Sequence, residues 1–140
     1  MNSYTYDEIV IGQTEQFCVT VTEDMQDAFR KITGDLNPLH GDAAFAKRNG
    51  HGGPVVFGML TMSFLSTLAG MYLPGKNSLI QGVSGKLRKP VYIGDTLTVE
   101  GVVSDKSDAV HVIGIKYSIT NQDGVKVAKG EMQIGVENYE

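Results

Sequence analysis

Val55-Val56-Phe57-Gly58-Met59-Leu60-Thr61-Met62-Ser63-Phe64-Leu65-Ser66-Thr67-Leu68-Ala69-Gly70-Met71-Tyr72-Leu73 is a run of nineteen residues without a charge, long enough to span a bilayer as a helix. Three features oppose a membrane span. Thr61, Ser63, Ser66 and Thr67 are polar, Pro54 and Pro74 bound the run, and its flanks lack a Lys/Arg bias. The run reads instead as a buried helix. Leu60, Phe64, Leu68 and Met71 project to one side, while Ser63, Ser66, Thr67 and Gly70 line another at i, i+3, i+4 and i+7. A stripe of small residues lets something approach closely, either a sheet wrapped around the helix or an apolar ligand. Tight core packing without any ligand would leave the same pattern.

The flanking sequence supplies the sheet. Residues 4–21 carry β-formers, with the clearest alternation at Phe17, Val19 and Val21. Thr22 then reads as an N-cap with Glu23 and Asp24 in the first turn, and Met25, Ala28, Phe29 and Ile32 follow at helical spacing until Gly34. Asp42 is placed to cap a second short helix over 43–48. After Pro74-Gly75 the chain reads as strands at about 79–92, 96–104, 110–120 and 125–136, with hairpin turns at Gly94-Asp95 and Asp123-Gly124. Strand, helices and then an antiparallel meander predict an α+β domain whose sheet curls around one long helix.

Composition narrows the function classes. The 140 residues fit one domain, 41% are hydrophobic and 20% charged, and the net charge is −4. That balance suits a soluble protein and opposes a nucleic-acid binder, whose affinity rests on a basic face. The single cysteine, Cys18, cannot form an intrachain disulfide, and Met1-Asn2-Ser3-Tyr4 shows neither a basic nor an apolar leader pattern. The expected location is the cytoplasm, with no membrane span.

The residues that carry chemistry lie just ahead of the uncharged run, in Asp35-Leu36-Asn37-Pro38-Leu39-His40-Gly41-Asp42. Proline fixes its own φ and holds Asn37 extended, so the step turns the chain between a carboxylate and an imidazole. Asp35 and His40 can then share one reacting atom. The other reading makes Asp35 and Asn37 ordinary turn residues and His40 a surface or core histidine.

Residues 32–46, which include this motif, resemble the hydratase motif of the MaoC-like, (R)-specific enoyl-CoA hydratases and dehydratases. The resemblance continues in Gly58-Met59-Leu60 and in Lys89-Pro90-Val91-Tyr92-Ile93-Gly94-Asp95-Thr96-Leu97, and so runs from about Phe29 onward. It implies a single hot-dog domain over 1–140, an antiparallel sheet wrapped around a long central helix. The implied reaction is reversible addition of water to a trans-2-enoyl thioester, giving an (R)-3-hydroxyacyl thioester. Asp35 and His40 match the family's acid/base pair, Gly58 its oxyanion amide at the start of the central helix, and Ser66 a supporting serine. Asn37 would shape the turn. The resemblance also implies a homodimer or a multiple of dimers, and no cofactor beyond the coenzyme A or acyl-carrier thioester of the substrate. One departure is Phe57, which stands where close relatives often carry histidine.

His40, His51, His111 and Cys18 include no pair at zinc spacing, so no metal site is expected. Gly50-His51-Gly52-Gly53 lacks the Lys-Ser/Thr of a phosphate loop, and no G-x-S-x-G elbow accompanies Ser63 or Ser66. Lys86, Arg88 and Lys89 form a basic cluster, either a solvated face or a contact for the carrier's phosphates. A hot-dog acyl-CoA thioesterase is the alternative enzyme, set back by the absence of a carboxylate from 55–73. A non-catalytic acyl-thioester-binding protein is the alternative outside catalysis.

Overall fold

The computed structural model describes residues 1–139. Strand β1 (Thr14–Thr20) leads into α1 (Glu23–Thr33), then a 3-10 turn (Pro38–His40) and α2 (Ala43–Arg48). The central helix α3 (Gly58–Thr67) runs on into a π turn (Leu68–Tyr72). Strands β2 (Ser78–Leu87), β3 (Thr96–Ser107), β4 (Val112–Thr120) and β5 (Lys126–Val136) complete the chain.

The local signals work as their chemistry requires. Thr22 Oγ1 accepts from the Met25 N–H at 3.2 Å, and Asp42 Oδ1 accepts from the Phe45 N–H at 3.0 Å, so each hydroxyl or carboxylate satisfies a helix-end donor. Gly34 closes α1 at φ 71°, a left-handed cap that favours glycine.

All five strands form one antiparallel sheet in the order β1-β3-β4-β5-β2. Its inner face, from Val99 and Val103 through Ile115 and Ile119 to Met132 and Ile134, packs with Leu60 and Leu65 of the central helix and Leu68 of the π turn in one core. A Cβ at Gly101 would come within 2.9 Å of both Leu68 Cδ2 and Ile115 Cγ2, so glycine is what lets the sheet close onto the helix there. The sheet wrapped around a central helix is therefore observed, and no helix among the described residues is long and apolar enough to cross a membrane.

Five details differ from expectation. Tyr6–Glu8 is a 3-10 turn, and the first strand begins only at Thr14, after the turn at Gly12. The α-helix starts at Gly58, because Val55 is taken by a bridge to Tyr92. Leu60 and Leu68 are buried but Met71 is 43% exposed. The π turn, closed by the Leu73 N–H on the Leu68 carbonyl at 2.9 Å, inserts an extra residue and rotates Met71 off the core face. Finally, Asp123-Gly124 is a hairpin turn but Gly94-Asp95 is not, since β2 pairs with β5 at the far edge of the sheet from β1. The strand expected over 79–92 stops at Leu87, and residues 88–95 cross over the start of α3, where the Val56 N–H donates to the Val91 carbonyl at 2.8 Å.

Candidate active site

That crossover builds a cavity. Residues 87–91 form one wall, and His40, Val55, Val56, Gly58 and Thr61 form the other, around about 290 Å³. His40 reaches it from the end of the 3-10 turn, which Asn37 starts by accepting the Leu39 N–H on Oδ1 at 3.0 Å, with Pro38 in the first turn.

Two contacts fix the imidazole. Nδ1 lies 2.6 Å from the Val55 carbonyl oxygen, and the ring stacks on Phe57 with centroids 4.2 Å apart at 29°. A carbonyl can only accept, so Nδ1 carries the proton, and in the neutral ring Nε2 is left with its lone pair. That is the form a general base needs. The geometry also accounts for Phe57: its ring is buried between His40 and Phe29, with ring centroids 5.1 Å apart on the Phe29 side and the Arg30 guanidinium 5.7 Å from its centroid.

One buried side chain ties the site together. Gln26 of α1 donates through Nε2 to the carbonyls of His40 and Val55, each at 3.1 Å, and accepts the Phe57 N–H on Oε1 at 3.2 Å. Arg30, paired with Asp27 at 2.6 Å, also donates to the His40 carbonyl at 3.0 Å. Nothing in the sequence marks Gln26, Arg30 or Thr61 as site residues; Thr61 stands out there only as a polar position in the uncharged run. In a helical pattern they read as polar positions, and only the fold brings them to the site.

Gly58 opens α3, a position whose N–H has no partner within the helix. With the helix dipole behind it, this amide suits an oxygen that gains negative charge. Asp35 lies outside the cavity wall. It is exposed, its Oδ1 accepts from the Asn37 N–H at 3.0 Å, and no hydrogen bond joins it to His40. Ser66 is not in the cavity either. It lies with Ser63, Met59, Met62 and Phe29 along an apolar groove of about 910 Å³ between α3 and β2, facing Ile80 and Val83. Behind that groove Tyr117 donates to the Ser84 carbonyl at 2.8 Å, and burial raises its pKa above the usual phenol value.

The basic cluster is divided by the fold. Arg88 and Lys89 stand on the cavity wall, whereas Lys86 faces outward with Lys116, Lys126 and Lys129, beside Glu100 and Glu131.

The model of the MaoC-like domain family matches residues 9–123. An (R)-specific enoyl-CoA hydratase of Aeromonas caviae is 38% identical over 104 residues, covering 74% of this chain and 78% of that protein. Another, of Rhodospirillum rubrum, is 31% identical over 105 residues, covering 72% and 73%. Among solved structures, the (R)-hydratase from A. caviae superposes with a TM-score of 0.87 at 32% identity, over 91% of this chain and 97% of that one. An R-hydratase from Pseudomonas aeruginosa gives a TM-score of 0.90 at 29% identity, over 96% and 86%. Matched along most of its length in both sequence and hot-dog architecture, the chain belongs to the MaoC-like domain family.

Proposed function

We propose that this chain is an enoyl-thioester hydratase that converts trans-2-enoyl thioesters reversibly to (R)-3-hydroxyacyl thioesters. The observation that carries the reading is the cavity shared by His40, with Nδ1 anchored on Val55 and Nε2 left open, and by the first amide of the central helix. The hydro-lyase names of the relatives support it.

In the forward direction a water on His40 Nε2, with the Asp35 carboxylate brought to it from outside the cavity wall, gives up a proton to the pair as its oxygen bonds to C3. Electron density moves through C2 to the thioester oxygen, where the Gly58 N–H meets the developing charge. The pair then returns a proton to C2, so water is added across the double bond with nothing left over. Asp35 and His40 act as a unit in this scheme, and neither is assigned one direction of transfer. The apolar groove beside Ser66 takes the acyl chain, and Arg88 and Lys89 meet the phosphates of the carrier. No cofactor enters the scheme.

The proposal includes a homodimer acting in the cytoplasm. Ile32, Leu36 and Met59, at 81%, 78% and 67% exposure, flank Asp35 and the groove, and a second subunit over them would close the site. The test uses crotonyl-CoA, following loss of enoyl absorbance and release of free thiol together. Loss of absorbance alone, with (R)-3-hydroxybutyryl-CoA as product, supports hydration. Thiol release would instead identify a thioesterase, and no change in either signal would identify a binding protein.

A further inference from the structure

Thr61 carries the one buried side-chain polar atom, among the described residues, that has no hydrogen-bond partner. The residue is 1% exposed, and buried hydroxyls are almost always bonded. Other hydroxyls on helices in this chain show the usual solution. Ser63 donates back to the Leu60 carbonyl at 2.6 Å, and Thr33 to the Phe29 carbonyl at 2.9 Å. The corresponding acceptor for Thr61 is the Phe57 carbonyl, which already receives the N–H groups of Leu60 and Thr61 at 3.0 and 3.1 Å. The Thr61 hydroxyl is left over.

Its position says what it is left over for. Thr61 lines the cavity that holds His40 and Gly58, and it stands three residues after Gly58, on the same side of α3. Helical side chains lean toward the N-terminus and cover the preceding turn, so the hydroxyl belongs over the turn that Gly58 opens. Much of the remaining wall is aliphatic, from Val55, Val56 and Val91. A ligand oxygen placed on the Gly58 amide would enter a largely apolar space with this hydroxyl as its near donor.

We propose that Thr61 is a substrate-contacting residue, whose hydroxyl donates a second hydrogen bond, beside that of Gly58, to the carbonyl oxygen of the bound thioester. This rests on the hydratase reading. The bond strengthens as the oxygen takes on enolate charge, so its effect falls mainly on the transition state.

The test is Thr61→Val, which keeps the shape and removes the hydroxyl, beside Thr61→Ser, which keeps the hydroxyl. Because the hydroxyl has no partner in the free protein, Thr61→Val should melt at or above the wild-type temperature. Its kcat on crotonyl-CoA should nevertheless fall roughly 10- to 100-fold, with a smaller change in KM, and Thr61→Ser should recover most of the rate. Wild-type kcat in Thr61→Val overturns the proposal. So does a lower melting temperature with unchanged kcat, which would mean that the hydroxyl holds a structural water. Calorimetry with butyryl-CoA, which cannot be hydrated, separates the two readings. If the wild-type protein binds it without hydrating crotonyl-CoA, the function fails, and the Thr61 contact stands only if Thr61→Val weakens that binding at least threefold.

Discussion

The His40 ring lies on the Phe57 ring, 4.2 Å between centroids, while its Nδ1 is tied to a carbonyl two residues before Phe57 in the chain. The segment entering the central helix thus holds the imidazole by both its face and its edge. Phe57→Leu should fold but lose the stacking on His40 and the tilted ring contact with Phe29, about 0.5–1.5 kcal/mol for each pair. Phe57→His places a polar ring in the same buried slot and should cost about 1–3 kcal/mol if a nitrogen is left unpaired. Thermal denaturation measures both. A Phe57→His protein as stable as wild type, with improved kcat, would show that the ring nitrogen is wanted for chemistry.

Asp35 and His40 should behave as one unit. General acid/base groups contribute about 10² to 10⁴-fold, and coupled groups lose that contribution together. Asp35→Asn and His40→Ala should each lower kcat steeply, and the double variant should be little worse than the poorer single one. Asn37→Ala removes the cap on Leu39 and should cost about 0.5–2 kcal/mol of stability before it touches the rate. Less than about a tenfold loss in a folded Asp35 or His40 variant would make the motif a turn and nothing more.

Gln26 gives a different signature. Gln26→Leu leaves the Phe57 N–H without its acceptor and removes a donor from two carbonyls, one of which also anchors His40 Nδ1. A buried polar group so exposed costs about 1–3 kcal/mol. The melting temperature should fall, and kcat should drop more than KM rises, because His40 and the segment entering α3 at residues 55–57 lose their common support. A variant that melts early yet keeps wild-type kcat would reduce Gln26 to a packing role.

These residues also mark how far the sequence can be read. The caps at Thr22 and Asp42 and the alternation at Phe17, Val19 and Val21 are local signals, and each appears in the fold as its chemistry demands; the uncharged run gives the central helix, but only from Gly58 and with Met71 turned off the core. The strand pairing is not local. Gly94-Asp95 looks like a hairpin turn from its residues alone, but residues 88–95 carry the chain away from β2 toward the opposite edge. Gln26 bonds across 14, 29 and 31 residues, and the idle hydroxyl of Thr61 follows from which acceptors its neighbours have used. Such facts exist only once the chain is folded. The fold brings His40 and Gly58, picked out through a resemblance to a known motif, to one cavity, whereas the carboxylate of Asp35 remains on the surface, unjoined to His40 in this chain.

The β2 edge should be covered by a second copy. Leu79, Val83 and Leu87 are 48%, 48% and 49% exposed on a strand whose outer edge is unpaired, a pattern that invites strand pairing between chains. A two-fold contact would be self-complementary. Light scattering at micromolar concentration should give a dimer or a multiple of it, and Leu79→Lys, at a position outside the acyl groove, should shift it toward monomer with loss of activity. A fully active wild-type monomer would remove the need for a partner at the site.

Position, more than charge, should decide which basic residues meet the carrier. The protein is acidic overall, at −4, so a polyanionic ligand needs a local patch of opposite sign. Arg88 and Lys89 lie on the cavity wall that faces His40 and Gly58, while Lys86, only two residues before Arg88, points to the outer face of the sheet. Arg88→Glu and Lys89→Glu should therefore raise KM for crotonyl-CoA severalfold, leave kcat nearly unchanged, and flatten the dependence of KM on salt. Lys86→Glu removes the same kind of charge from the outer face of the sheet, where Lys86 lies with Lys116 and Lys129 rather than on the cavity wall, and should leave KM within about twofold. Initial-rate measurements at two ionic strengths distinguish the cases. Equal increases in KM from all three variants would mean that the substrate senses only the total charge of the protein. No increase from any of them would make the cluster a solvated face and move the carrier's phosphates elsewhere.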